Sequence, residues 1–442
     1  MRTHSRFSIG VATLVIGLST TRTVLAQQSQ PTTGSPLAAL APASAARQGT
    51  PAEKRIASAR KVLANDPKRV DAWNELALAL SRRARELGDP SFYKEAWAAT
   101  EKSLQLEAGN LEARKLQVWI LLGQHEFPRA VEAAEQINRT VPDDVLVYGF
   151  LSDGYVELGK YREAERAAQW MLDMRPGNVP GLTRGAHLRE LFGDHDGAVE
   201  LMDTAYQRTA DGEVEDRAWI LTQIAHLSLL TCRTEAAEKL LTDALTLFPN
   251  YHYALAQMAE VKLQQGKASE VVSFRERQYA AAPHPENQYE LGVALNRAGR
   301  SDEARAAWQQ FEPAARREMA TWDNANIELI YYYADHANRP ADALTLARSE
   351  AAKRSDVRTL EALAWALHKN GQSREGSMEM AKALAVGVKD PVSFYHAGAI
   401  ANAAGSPADG KRFLEYSLST CKSSKVADAA RALMGAISTA AR

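Results

Sequence analysis

Apolar and small residues recur along most of this chain at the three- and four-residue spacing of amphipathic helices. In the segment 144–178, one such face ends at Gly159, and a second helical stripe follows that Pro176 terminates. The small residues Ser152 and Ala164 stand where the two predicted helices must touch. The pattern therefore predicts a pair of antiparallel helices joined by a short turn.

The same pair recurs along the chain with a period near 34 residues. The step is 34 residues from Ala108 to Pro142, again from Pro142 to Pro176, and again from Pro249 to Pro283. Ten units are predicted, and they start near Val70, Leu111, Val145, Val179, Ala218, His252, Pro285, Asn324, Val357 and Pro391. A helix over Arg55–Asn65 is expected to pack on the first unit, and a helix over Ala427–Thr439 is expected to cap the last.

The repeated unit resembles the tetratricopeptide repeat (TPR), a 34-residue helix–turn–helix motif with the pattern W-x-x-L-G-x-x-Y … A … F … A … P. The resemblance covers about 370 residues, which is nearly all of the chain beyond residue 55. It implies an all-α fold: an α-solenoid, in which about ten units form a right-handed superhelix with a C-terminal capping helix. The chain is most similar in layout to exported TPR proteins of bacterial type.

The two segments before the repeats have a different character. Residues 1–26 carry Arg2 and Arg6, then an apolar core over residues 7–18, and end in Val-Leu-Ala, which is the layout of a cleaved secretory signal peptide. An uncleaved signal anchor is the alternative, although the core is well short of the roughly 20 residues that a bilayer requires. Residues 27–54, rich in Ala, Pro, Gln and Ser, are expected to be a disordered linker, and the solenoid is expected over residues 55–441. We therefore expect a periplasmic or secreted protein with no transmembrane span after signal removal.

Composition narrows the function classes. Lys and Arg number 53 and Asp and Glu 54, for a net charge of −1, and no basic stripe is present, so nothing favours a nucleic-acid partner. The nucleophile, phosphate-loop, dinucleotide and zincin motifs are absent from the sequence, which predicts a protein that is not an enzyme and needs no cofactor. Cys232 and Cys421 lie about five repeats apart, and because solenoid repeats contact mainly their neighbours, we expect no disulfide.

The resemblance also indicates which face binds. TPR arrays bind partners on the concave surface formed by the first helix of each unit, and the ninth position of that helix points inward. Asp153, His187, His226 and Glu260 occupy this position in four successive units, and aromatic residues gather at inward positions of later units. The candidate partner-binding residues are Trp119, Asp153, His187, His226, Glu260, Tyr332, Trp365 and Tyr395.

Several interpretations of these residues remain open. The His and carboxylate row suits a pH-sensitive contact or a transition metal, but it also fits a solvated polar stripe without a ligand. The aromatic residues suit a binding surface, but they also fit packing between repeats. The function predicted is a non-catalytic scaffold of the cell envelope that binds a protein or peptide segment in the groove. The alternative is a ligand- or metal-binding accessory protein that uses the row.

Overall fold

The computed structural model of the chain describes residues 49–319 and 326–440. The predicted signal peptide and all but the last residues of the predicted linker lie outside this part. Within it the chain forms 22 α-helices and no strand, so the predicted all-α solenoid is confirmed.

Ten helical hairpins follow one another between a first helix, α1 (Pro51–Asn65), and a last one, α22 (Ala427–Ala440). In chain order the hairpins are α2 (Val70–Leu87) with α3 (Phe92–Leu106), α4 (Leu111–Gly123) with α5 (Phe127–Thr140), α6 (Val145–Glu157) with α7 (Tyr161–Met174), α8 (Val179–Leu191) with α9 (His195–Arg208), α10 (Val214–Leu230) with α11 (Thr234–Leu247), α12 (His252–Gln264) with α13 (Ala268–Ala281), α14 (Pro285–Arg297) with α15 (Ser301–Met319), α16 (Asn326–Asp335) with α17 (Pro340–Ala351), α18 (Val357–Lys369) with α19 (Ser373–Ala385), and α20 (Pro391–Ala403) with α21 (Pro407–Thr420).

The boundaries depart from expectation at two helix starts. Helix α1 begins at Pro51, inside the segment expected to be linker, because Thr50 and Glu53 form a capping box. The Thr50 side chain accepts from the amide of Glu53, and the Glu53 carboxylate accepts from the amide of Thr50 at 2.8 Å. Helix α10 begins at Val214, ahead of the expected start near Ala218, so the residues just before Ala218 lengthen this helix.

Each hairpin turns through one residue with a positive φ. Seven of the ten positions hold glycine, as at Gly159 (φ 68°), whereas His125, Cys232 and Asn338 adopt φ values of 58°, 57° and 52°. The left-handed conformation costs an L side chain about 1–2 kcal/mol. Cys232 therefore stands at a turn position that favours glycine.

Small residues hold the two helices of a hairpin together. Ala164 of α7 is fully buried, and its carbonyl accepts a hydrogen bond from Ser152 of α6 at 3.2 Å. A Cβ on Gly292 of α14 would lie 2.2 Å from Nε1 of Trp308, so the indole occupies space that only glycine leaves free. Close packing of first against second helices is therefore achieved through small residues, as the sequence pattern predicts.

Units of the solenoid that are far apart in the sequence also contact each other. Arg82 and Arg85 of α2 reach the start of α10, where Arg82 pairs with Glu213 at 3.1 Å and Arg85 pairs with Asp216 at 2.7 Å and also with Glu215. The Asp216 side chain has no exposed surface. We call this line of contact between successive superhelical turns the seam.

The seam continues along later units. The amide of Ser355 donates to the carbonyl of Glu157 at 3.0 Å, and Nζ of Lys389 donates to the carbonyl of Gly193 at 3.1 Å. These contacts join the third unit to the start of the ninth, and the fourth to the start of the tenth. The ten units therefore form stacked turns instead of an open ribbon.

The expectation that the two cysteines stay apart is wrong. Cys232 and Cys421 form a disulfide across the seam, with 5.1 Å between their Cα atoms and 189 residues between them in sequence. The expectation failed because it allowed contacts only between neighbouring repeats, whereas the superhelix brings the turn at Cys232 against the loop after α21. In the chain-entropy model, closing a loop of this length stabilises the fold by about 5 kcal/mol.

The buried ion pairs of the seam give a test of its contribution to stability. Arg85→Met should lower the free energy of unfolding by about 3–5 kcal/mol, because Asp216 would lose its closest cation in a site without solvent. Denaturant unfolding followed by circular dichroism measures this change. Arg69→Met is the matched control, since Arg69 pairs with Asp71 in solvent, and it should leave the free energy of unfolding nearly unchanged. Equal losses in the two variants would contradict a structural seam.

Candidate partner-binding site

The first helices form the inner layer of the solenoid. First helices of neighbouring units touch directly, as α4 does with α6 and α18 with α20, whereas contacts between neighbouring second helices are at most sparse in the described residues. A stack of hairpins curves toward the layer whose helices lie closer together. The inner face of the first helices is therefore the concave face on which the sequence places the binding residues.

Two of the candidate residues in the early units are buried instead of presented. Trp119 is 2% exposed and belongs to the core of the first units. Asp153 is also buried and pairs with Arg184 of the next unit, whose Nε donates to Oδ1 at 2.9 Å and whose second nitrogen donates to Oδ2 at 2.5 Å. Burial raises the pKa of Asp153, and the guanidinium opposes that rise. Both residues hold adjacent units together.

The two histidines of the row meet through a residue that the sequence analysis did not select. Glu190 lies between them, with Oε2 at 3.2 Å from Nδ1 of His187 and Oε1 at 2.9 Å from Nε2 of His226. The signal in the sequence was the i, i+3 spacing of His187 and Glu190 on one face of α8. The histidines are thus joined by a carboxylate.

The three groups titrate differently. Burial lowers the pKa of His187 to about 4. Burial also acts to lower the pKa of His226, but the charge and hydrogen bond of Glu190 and the charge of Asp390 raise it overall. Although burial opposes it, the two imidazoles lower the pKa of Glu190 to about 2. His195 and Lys389 complete the charged surroundings.

The last member of the row is separate from the other three. Glu260 accepts a hydrogen bond from Arg275 at 2.7 Å, and the same guanidinium lies 3.1 Å from Glu290. The predicted row therefore divides into three contacts: Asp153 with Arg184, the His pair with Glu190, and Glu260 with Arg275. It does not gather into one ligand-binding cluster.

Tyr332 does not face the concave side. Its ring packs against Trp308 and Phe311 of α15, with centroids 6.2 and 5.5 Å away. Tyr331 takes the inward place instead, beside His396 at 5.9 Å. One period of 34 residues back from Trp365 also leads to Tyr331, so the predicted start of this unit, near Asn324, was one residue too late.

The later units leave part of the inner face accessible. Trp365 is largely buried, and its Nε1 donates to Asp335 at 3.1 Å, while Nζ of Lys369 pairs with Asp335 at 3.0 Å. Tyr395 is partly exposed and lies 6.2 Å from the Trp365 ring. Arg358, whose side chain is 74% exposed, lies 3.8 Å from Glu328. We call the accessible group the inner patch: Tyr331, Asp335, Arg358, Lys369 and Tyr395.

Comparison with known proteins found similarity to solved structures at low sequence identity. No family model and no curated protein matches this chain. The Cut9–Hcn1 hetero-tetramer of the APC/C matches with a TM-score of 0.43 at 14% identity, over 82% of this chain and 55% of that one, so this chain spans about half of that relative. Human IFIT1 bound to PPP-AAAA matches with a TM-score of 0.48 at 12% identity, over 83% and 86% of the two chains. PilW, a type IV pilus biogenesis factor, matches with a TM-score of 0.37 at 12% identity, over 47% and 93%.

Among the residues that the structure describes, none of the helices combines the length and the apolar character needed to cross a bilayer.

The opposite pKa shifts of the two histidines predict opposite effects of pH. A His whose folded pKa is lowered to about 4 destabilises the fold as pH falls below its unfolded pKa of about 6.5, so His187 should cost about 2 kcal/mol between pH 8 and pH 5. A His whose folded pKa is raised stabilises the fold below about pH 6.5, and this contribution is lost as pH rises through the folded pKa. His187→Gln should therefore reduce the loss of stability from pH 8 to pH 5, and His226→Gln should enlarge it. Urea unfolding at both pH values measures this, and a change of the same sign in both variants would contradict the assignment.

Proposed function

We propose that this protein is a non-catalytic interaction scaffold of the cell envelope that binds a segment of a partner protein on the inner patch. The observation that carries the proposal is the contrast along the concave face. Inner positions of the second and third units are buried or taken up in ion pairs, whereas α16, α18 and α20 leave aromatic and charged side chains accessible.

The composition of the inner patch suits recognition of a protein segment. Tyr and Arg are enriched among the residues that dominate binding energies, because they bury large areas and make directional contacts. Asp335 holds Trp365 and Lys369 in place, so the surface is organised before a partner arrives. Pre-ordered side chains lower the entropy cost of association. Exposed charges of both signs at Arg358, Lys369 and Asp335 would orient the segment.

The envelope location rests on two independent arguments. Residues 1–26 have the layout of a signal peptide, although they lie outside the described residues. The Cys232–Cys421 disulfide is the kind of cross-link that persists in oxidising compartments and is rare in the cytosol of mesophiles. Together they support export, with the solenoid folding and oxidising beyond the cytoplasmic membrane.

Site-specific crosslinking in the native host tests where the partner binds. A photo-reactive phenylalanine analogue at position 358 should capture a discrete protein on illumination. The matched control is position 166 on second helix α7, because the Arg166 side chain is 73% exposed, which is close to the 74% of Arg358. We expect crosslinks from position 358 and few from position 166.

A second substitution tests whether the capture depends on the inner patch. Tyr395→Ala, introduced beside the crosslinker at position 358, should reduce the captured product at least tenfold, since truncation of an aromatic anchor costs about 2 kcal/mol or more. A thermal melt checks that this variant folds. Equal capture from both positions, or capture unaffected by Tyr395→Ala, would contradict binding on the inner patch.

Export is tested separately. A reporter that is active only outside the cytoplasm should function when fused to residues 1–30 and fail without them. The intact mass of the mature protein should match a chain that begins at Gln27. Its two cysteines should react with an alkylating reagent only after reduction. A mature chain that retains Met1 and carries free thiols would overturn the envelope assignment without bearing on the inner patch.

A further inference from the structure

A group of potential metal ligands lies in the seventh unit, away from the inner patch and outside the predicted row. His284 directly precedes α14, Glu286 belongs to its first turn, and Glu318 stands next to the last residue of α15. One ligand atom from each residue lies within 4.8 Å of the other two, and Nδ1 of His284 is 3.4 Å from Oε1 of Glu318. The hairpin places the beginning of α14 beside the end of α15, which brings the three side chains together.

An independent observation shows that this group has unmet bonding capacity. Oε2 of Glu286 is buried and has no hydrogen-bond partner among the described residues. A buried carboxylate oxygen without a partner is costly and calls for a compensating group.

His284 lies close to the end of α2. It is buried, and its Cδ2 lies 3.7 Å from the position that a Cβ on Gly88 would occupy. Gly88 ends α2 with a φ of 65°, and Nε2 of the nearby His252 lies 3.1 Å from the carbonyl oxygen of Arg85. The imidazole of His284 is therefore near the neighbouring superhelical turn.

We propose that His284, Glu286 and Glu318 bind one divalent transition-metal ion, Zn²⁺ or Mn²⁺. One imidazole and two carboxylates form a ligand set that suits these ions, with water filling the remaining positions. The ion would give Oε2 of Glu286 the partner that it lacks. The C-terminal end of α15 favours a cation at Glu318. Ligands about 2.1 Å from one ion lie about 3–3.6 Å apart, so a small side-chain rotation closes the widest separation.

Such an ion would link the beginning of α14 to the end of α15 and fix His284 against Gly88. It would therefore stabilise the seventh unit and the seam together. This role is separate from partner binding on the inner patch, because none of the three ligands belongs to that surface. The proposed site is also distinct from a metal site in the row of Asp153, His187, His226 and Glu260, because the structure divides that row into three contacts.

The test uses the tag-free mature chain with its disulfide intact, stripped with EDTA and dialysed. Calorimetric titration with Zn²⁺ and with Mn²⁺ should show one saturable site per chain, and Mg²⁺ should bind at least tenfold more weakly. Saturation with the preferred ion should also raise the melting temperature. Electron paramagnetic resonance of bound Mn²⁺ gives a second readout that does not depend on stability.

Glu286→Gln and His284→Gln should each weaken binding at least tenfold. Glu286→Gln removes a buried carboxylate that lacks a partner, so this variant is expected to fold, and its circular dichroism spectrum checks that. Glu303→Gln is the matched control, since it removes an exposed carboxylate from the same helix as Glu318 and should bind metal like the wild type. Absence of a saturable site, or binding that both ligand variants leave unchanged, would overturn the proposal.

Discussion

The contact between successive superhelical turns is the constraint on which the rest of this structure depends. Packing within and between neighbouring hairpins is enough to build a helical ribbon. The seam decides how tightly that ribbon winds, because Arg82 and Arg85 must reach the acidic start of α10. Since Asp216 is fully buried there, its charge is tolerated only while these guanidinium groups remain close. The disulfide between Cys232 and Cys421 adds a covalent limit at the far end of the seam.

Contacts between neighbouring units account for part of the division of the concave face. In the second and third units, inner side chains such as Trp119 and Asp153 are buried, and Asp153 pairs with Arg184 of the next unit. Beyond α15 the inner face opens, and Arg358 and Lys369 remain accessible. A partner segment would therefore meet a surface confined to the last three units. The winding of the superhelix brings the end of α2 near His284, so the proposed metal site lies close to the seam.

The site was predictable in its position and much less so in its members. Counting repeats correctly placed His187 and His226 on one face of neighbouring units, and it placed Trp365 beside Tyr395. It missed Arg184, Glu190 and Arg275, which pair with the residues of the row. Assigning one inward residue to each helix takes no account of how far the neighbouring side chains reach. It also selected Tyr332 in place of Tyr331, because the predicted start of that unit near Asn324 was one residue too late, and one residue turns a helical side chain by about 100°.

The sequence by itself determined the hairpins: the 34-residue period, the small residues between paired helices and the turn positions follow from local patterns that each unit carries alone. The ten units and both flanking helices were predicted on that basis. The starts of α1 and α10 differ from prediction, because a capping box begins α1 earlier and α10 extends over residues before Ala218. Only the tertiary structure decided which distant units touch. The pitch of a superhelix is the sum of many small rotations between repeats, and a slight change in each moves units four to six positions apart by many ångströms. For this reason the disulfide, the buried ion pairs at α10 and the limits of the inner patch could not be derived from the repeat pattern.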